Sequence, residues 1–443
     1  MSFKKYLPKV FALSLVLLTT FLLTNCWLTD ILFPPDETNY ETGEVIWIHD
    51  SPGADSLYIG NSIALGTDGS IYYAAGNGGY SWIPVRIFAV NKADGSLLWE
   101  SEQIDNVDMG ENRIVVGDDG TIYVLGFHNL YAIDPGTGIF KWIWEVPVNL
   151  PNPAGGEYYT YGGIGGLALM DNGDLVFGSV ESGVYSRGLY CVDKNGNTKW
   201  YNLEINGSAI FSGISVGHNG TIYYVTNLYA PRWDGGIYLV AVNPSSGIEK
   251  WTKKIGSLGS ASNNIAIADD GFLICSFIDE GATERHIHRI DPVTGNISWS
   301  STSLGGIWEK WIGPDGYIYQ TIAPAGEFQG IYRIDPQTGG KGLVYRTIEP
   351  TAIDNQGRLV VSFLTEDVPS NSALGVFNSD GILDWSVEVD GMTGKDFLIS
   401  EDKIIYGITS LKQIVAIKGD AKLASSGWPR DGHDNRNTSN WSK

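Results

Sequence analysis

Apolar and polar residues alternate along most of this chain in short runs, and Gly, Asn and Asp punctuate those runs at regular intervals. The run Ile63-Ala64-Leu65, a break at Thr67-Asp68-Gly69, and Ile71-Tyr72-Tyr73 form one such unit. It recurs at Asp119-Gly120-Thr121-Ile122-Tyr123, Asn172-Gly173-Asp174-Leu175, Asn219-Gly220-Thr221-Ile222-Tyr223, Asp270-Gly271-Phe272-Leu273, Asp315-Gly316-Tyr317-Ile318-Tyr319 and Gln356-Gly357-Arg358-Leu359. A last copy, Asp402-Lys403-Ile404-Ile405-Tyr406, lacks the Gly. Asp-Gly and Asn-Gly between period-2 strands predict hairpins, because the left-handed turn backbone suits those residues.

A second unit follows each hairpin, and Tyr131-Ala132-Ile133-Asp134-Pro135-Gly136-Thr137-Gly138-Ile139-Phe140-Lys141-Trp142 is its fullest form. Related copies run Ala89 to Trp99, Cys191 to Trp200, Ala241 to Trp251, Arg289 to Trp299 and Val376 to Trp385. In the copy that begins Arg333-Ile334-Asp335-Pro336, Leu343 stands where the others have Trp. This unit is also a hairpin: Asp or Asn bonds its own backbone, Pro sets the next dihedral, and Gly supplies the left-handed residue. Two hairpins in each repeat of about 45 to 50 residues give four antiparallel strands, the arithmetic of a propeller blade.

The last repeat ends at Ile414-Val415-Ala416-Ile417-Lys418-Gly419 with no Trp element, whereas an orphan Gly43-Glu44-Val45-Ile46-Trp47 stands near the front. The expectation is an all-β, eight-bladed β-propeller of four-stranded antiparallel blades, closed by this N-terminal strand. Closure removes the exposed sheet edge that an open array would leave.

The chain of 443 residues carries 56 Gly and 15 Trp but 3 Cys, too few thiols for a disulfide scaffold or a Cys-rich metal site. Cys191 and Cys275 lie in apolar strand runs and read as small buried hydrophobes. A formal charge of -21 sets up a field that repels phosphate backbones, so nucleic acid is not an expected partner.

Lys4, Lys5 and Lys9 precede an apolar run from Val10 to Leu23, too short for a membrane span and typical of an export signal. The run closes on Leu23-Thr24-Asn25-Cys26, which resembles the lipobox of bacterial lipoproteins and implies lipidation of Cys26. The expected organisation is a lipoprotein signal over 1–25, a tether over 26–42, the propeller over 43–420 and a C-terminal tail over 421–443.

The Ala-x-Asp-x-x-Thr-Gly-x-x-x-Trp pattern at Ala132 to Trp142 resembles the tryptophan-docking motif of the quinoprotein (PQQ-like) propeller superfamily, and the resemblance extends over nearly all of 43–420. It implies that Trp47, Trp99, Trp142, Trp200, Trp251, Trp299 and Trp385 pack between neighbouring blades. Enzymes of that superfamily hold pyrroloquinoline quinone and calcium on the propeller axis, with an adjacent Cys pair and a converging Asp, Glu and Asn set. This sequence has no adjacent Cys pair, so no cofactor is expected; PQQ with calcium is the alternative. Gly117-Asp118-Asp119-Gly120 and Ala268-Asp269-Asp270-Gly271 occupy hairpin turns, and turn formation accounts for them. His286-Ile287-His288 places two imidazoles on one strand face, but no third ligand is near in sequence, and no metal site is expected.

Within a four-stranded blade the two short turns share one face of the ring, and the long connections share the other. Those connections carry Tyr80 and Trp82, Tyr158, Tyr159 and Tyr161, Tyr229 and Trp233, and Trp308 and Trp311. Aromatic side chains on loops over a rigid ring suit recognition. Tyr80, Trp82, Tyr159, Tyr229, Trp233, Trp308 and Trp311 are therefore the candidate recognition face, for an envelope protein or a glycan. In architecture and anchor the chain resembles the BamB-type lipoproteins of outer-membrane barrel assembly, which are non-enzymatic eight-bladed scaffolds. The expectation is a monomeric, membrane-anchored scaffold of the bacterial cell envelope; a quinoprotein dehydrogenase and a polysaccharide-binding or polysaccharide-cleaving propeller are the alternatives.

Overall fold

The computed structural model describes residues 40–52, 57–77, 83–107, 114–126, 129–147, 164–179, 188–202, 213–227, 236–257, 265–279, 281–301, 306–323, 330–345, 350–364, 372–430, 432–434 and 436–443. Residues 1–39, with Cys26 and the expected signal and tether, lie outside them, as do Tyr80, Trp82, Tyr159, Tyr229 and Trp233.

The described strands form eight antiparallel sheets, and in seven of them the strand order follows the chain. Blade 2 shows the plan: Val115–Val116, Ile122–Leu125, Asn129–Ile133 and Phe140–Glu145 pair in sequence. Blade 1 adds a strand, Ile104–Val107, which pairs with Ile83–Val90 beyond Leu97–Glu100. The first strands of successive blades approach one another around the axis.

Blade 8 is the exception that closes the ring. Met392–Ile399, Ile404–Thr409 and Gln413–Lys418 supply three strands, and Val45–Asp50 supplies the fourth. Trp47 pairs with Ala416 and Ile48 with Val415. Where other blades have a hairpin turn between their last two strands, this one has two chain segments. Gly43 N–H donates to Lys418 O at 2.7 Å and Lys418 N–H to Glu44 O at 2.8 Å. Gly43, at φ 88°, takes the left-handed place that the turn glycine holds elsewhere.

The core lies between blades rather than within one sheet. Val115, Tyr123 and Leu130 of blade 2 join Leu169, Phe177 and Tyr190 of blade 3 in one buried cluster, and each pair of neighbours repeats the arrangement. The docking indoles cap these seams. Trp47 Nε1 donates to Lys92 O, Trp99 to Pro135 O, Trp142 to Lys194 O, Trp200 to Pro244 O, Trp251 to Pro292 O and Trp299 to Pro336 O, all between 2.8 and 3.1 Å. Trp385 instead reaches the Asp420 carboxylate at the closing junction, at 3.3 Å. Each bond lands on the next blade's turn, so the indoles stitch seven of the eight seams; burying that much aromatic surface stabilises each by about 1–3 kcal/mol.

The turn glycines leave room for the indoles. A Cβ on Gly247 would stand 2.4 Å from Trp200 Cε3. At the seam after blade 6, where Leu343 replaces Trp, the backbone itself moves in, and a Cβ on Gly381 would meet Val344 O at 1.9 Å.

Candidate functional site

The axis has two unlike ends. The short turns, such as Gly66–Ser70 and Gly117–Thr121, are closed by main-chain bonds 2.7 to 3.0 Å long and gather on one face. At that face the last residues of the chain run across the ring. Val116, Leu169, Val216, Ile312 and Ile353 N–H groups, at the ends of first strands of five blades, donate to Arg436, Thr438, Ser439, Trp428 and Pro429 carbonyls respectively. Antiparallel bridges join Trp428 to Ile312, Arg430 to Ala352 and Leu423 to Asp354. Trp428, Arg430, Asn437, Thr438, Ser439 and Asn440 are all buried. The tail expected over 421–443 is therefore a stopper built into the axis, a role its sequence did not disclose.

Two side chains centre it. Arg430 Nε donates to Phe397 O at 3.0 Å, and its Nη1 reaches Asn437 Oδ1 at 2.7 Å and the Asp434 carbonyl. Asn437 Nδ2 donates to Ile63 O at 3.0 Å, on the first strand of blade 1, and to Ile114 O at 2.9 Å, directly before the first strand of blade 2.

The first residue of the short turn serves this stopper in blade after blade. Asp118 binds Arg436 and Lys443; Asp171 accepts from Asn440 and Ser442; His218 stacks on Trp441; Asp269 accepts from Gly427 N–H; Asn355 accepts from Lys422 N–H; Glu401 pairs with Lys422 Nζ. The second residue shapes the turn, as Asp119 does by accepting from Thr121 N–H at 3.0 Å and Asp270 from Phe272 N–H at 3.2 Å. The two Asp-Asp-Gly strings thus divide their labour: turn formation accounts for the second acid, tail docking for the first. The cations Lys443 and Arg436 hold the Asp118 carboxyl below its ordinary range against the opposing effect of burial. The Asp118 carboxylate, paired with two cations, is thereby committed to the tail.

Trp311 requires a correction. It sits on the first strand of blade 6, Gly306–Ile312, opposite Tyr319, and is 3% exposed inside the seam with blade 7. The reason is a bulge between Ile307 and Lys310, which breaks the period-2 pattern and made the segment read as a loop. Trp308 lies on the same strand, and its side chain is outside the described set.

His286 and His288 have a neighbour that their local sequence does not show. They begin the third strand of blade 5, Arg285–Ile290, on the face of long connections, and Asp279 directly follows the preceding strand, Leu273–Ile278. His286 Nδ1 lies 2.9 Å from Asp279 Oδ2, and His288 Nε2 lies 3.8 Å from Asp279 Oδ1. The three side chains can each bring one ligand atom within 4.8 Å of the others. A third side chain able to ligate, absent from the local sequence of the two histidines, thus stands beside them across the loop. His288 is fully buried and stacked 3.7 Å from the Phe277 ring, and desolvation lowers its pKa to about 4. Cys191 and Cys275 are buried as expected, and burial pushes both thiols up to about 12.

A family model described as outer membrane protein assembly factor BamB matches residues 85–272. No curated protein matches the sequence. Among solved structures, the chain is similar to BamB from Moraxella catarrhalis, at 12% identity and TM-score 0.52, covering 84% of this chain and 99% of that one. It is equally similar to the computationally designed Ika8 protein, at 11% identity and TM-score 0.53, covering 85% of this chain and 100% of that one. Likeness at this level of identity concerns the fold. The chain is an eight-bladed propeller that resembles BamB in fold, and its residues 85–272 match the model of that family of PQQ-like repeats.

Proposed function

We propose that this chain is a lipid-anchored protein of the bacterial cell envelope that binds another protein through its face of long connections and catalyses no reaction. The observation that carries this reading is the asymmetry of the ring. The short-turn face is stoppered by residues 421–443, and the closing strand begins on that same face, at Gly43 beside Lys418. A tether from Cys26 therefore reaches the ring on its stoppered side and leaves the other face turned away from the attachment point. The seams and the stopper make the ring that carries that face rigid, which limits the entropy lost when a partner docks. Binding scaffolds of BamB type share this architecture, and the match to that family model supports a protein partner.

The test is site-specific photocrosslinking in intact membranes. Photoreactive residues at Pro84 and Ala282, exposed beside long connections, are compared with ones at Asn195 and Gln337, exposed in short turns. A discrete envelope-protein adduct from the first pair alone is expected. Adducts from the second pair alone, or none from either, would refute the reading. Retention of Cys26→Ser in the membrane fraction would refute the anchor.

A further inference from the structure

Blade 5 holds one polar cluster that neither the stopper nor the seams use: Asp279, His286 and His288 at the rim of the long-connection face. Its hydrogen bonding is unequal. Asp279 Oδ2 is paired with His286 Nδ1, but His288 Nε2 is buried and has no hydrogen-bond partner among the described residues. A bare ring nitrogen in a site without water access costs roughly 1–3 kcal/mol unless something fills it.

The other nitrogen of that ring explains which face it presents. His288 Nδ1 lies 2.8 Å from Ser300 Oγ, and the ring is fixed in plane by Phe277 at an interplanar angle of 11°. When Nδ1–H donates to the Ser300 oxygen, Nε2 is left as a lone pair directed toward Asp279. Metal-binding histidines are oriented in this way, with one nitrogen held by a hydrogen bond and the other free to ligate. Ser300 sits on the nitrogen away from the carboxylate, so it positions the ring rather than joining the donor set.

We propose that Asp279, His286 and His288 bind a divalent transition-metal ion, with zinc as the best match. Two imidazoles and one carboxylate are a borderline-soft donor set that suits zinc over calcium or magnesium, which take oxygen ligands. Entry of the ion takes the place of the proton between His286 Nδ1 and Asp279; the neutral ring exchanges tautomer through solvent, so that Nε2 carries the N–H and Nδ1 ligates as a neutral imidazole. Three protein ligands leave one position of a tetrahedral ion open. Because the cluster lies at the rim of the long-connection face, that open position is available to a water molecule or to a donor group arriving from outside. The site stands on the blade 5 geometry alone and does not depend on the identity of any partner.

The test uses the tag-free, metal-stripped chain titrated with cobalt(II) and then zinc. One equivalent of cobalt is expected to give the visible absorption of a four-coordinate site, and zinc to bleach it. Asp279→Asn and His286→Ala, both at partly exposed positions, should keep the far-UV circular dichroism of the parent and weaken zinc binding by at least about tenfold. Zinc should raise the melting temperature of the parent and leave that of His286→Ala unchanged. Absence of a stoichiometric cobalt spectrum, or equal zinc affinity in parent and variants, would overturn the proposal, the latter assigning the binding to the acidic surface instead.

Discussion

Asn437→Asp isolates the hinge of the stopper with one atom exchanged. The change keeps size, tolerates the left-handed backbone at φ 57°, and preserves the acceptor for Arg430. What it removes is the Nδ2 donor to Ile63 O and Ile114 O, in a residue that is 1% exposed. Two buried carbonyls then face a carboxylate oxygen, at about 1–3 kcal/mol for each acceptor left unpaired, and the nearby Arg430 returns part of it. The expected net loss is about 2–5 kcal/mol, a large share of a stability of order 5–15 kcal/mol. Urea unfolding followed by tryptophan fluorescence and circular dichroism measures it. Asn195→Asp, the same charge change on an exposed short turn, serves as the control and should cost less than about 0.5 kcal/mol. A loss below about 1 kcal/mol for Asn437→Asp would mean that the tail does not hold the blades together, and the closed-face reading would fall with it.

Gly247→Ala and Gly271→Ala share a left-handed backbone, at φ 66° and 85°, but only the first would drive a Cβ into an indole. The first should cost about 2–4 kcal/mol and the second about 1 kcal/mol, by thermal unfolding. Leu343→Trp should bring no stabilisation, because Val344 backbone already occupies the place of an indole contact at Gly381; a rise in melting temperature would contradict this. Burial depresses the pKa of His433 and of His49, so their unfolded forms take up protons first as the solution is acidified. Stability is therefore full above pH of about 6.5 and declines below it, toward the lower folded-state values. His433→Asn, which suits the left-handed backbone at φ 76°, should flatten the decline measured between pH 7.5 and 5.5; an unchanged slope would count against the assignment.

The ring was legible because its turns obey strict local chemistry. Asp134, Gly138 and Trp142 each have one physical job, and repetition exposes the jobs even where single copies decay, as at Leu343. The closing strand was legible for the same reason, since Gly43 and Trp47 carry the two ends of a turn whose middle is missing. The stopper was not. Its bonds run from main-chain groups and single side chains such as Asn437 to eight separate blades, with no period and no hydrophobic stripe to announce it. Asp279 was missed for a related reason: its partnership with His286 and His288 is made by a loop bringing two strands together, not by spacing along one strand. Trp311 misled because a bulge interrupts alternation in an otherwise ordinary strand.

The pairing of Val45 with Ile417 ties one end of the ring to the other. An array of blades emerging in order can zip up seam by seam, but its first seam waits for its last. Until Gln413–Lys418 arrive, Val45–Asp50 has no partner strand, and the entropic cost of joining such distant segments falls on the final step. For a chain that emerges from its N-terminus, this places ring closure after the last blade has emerged. The unfinished intermediate then exposes two raw sheet edges, which is where a holding chaperone would be needed and where aggregation would begin.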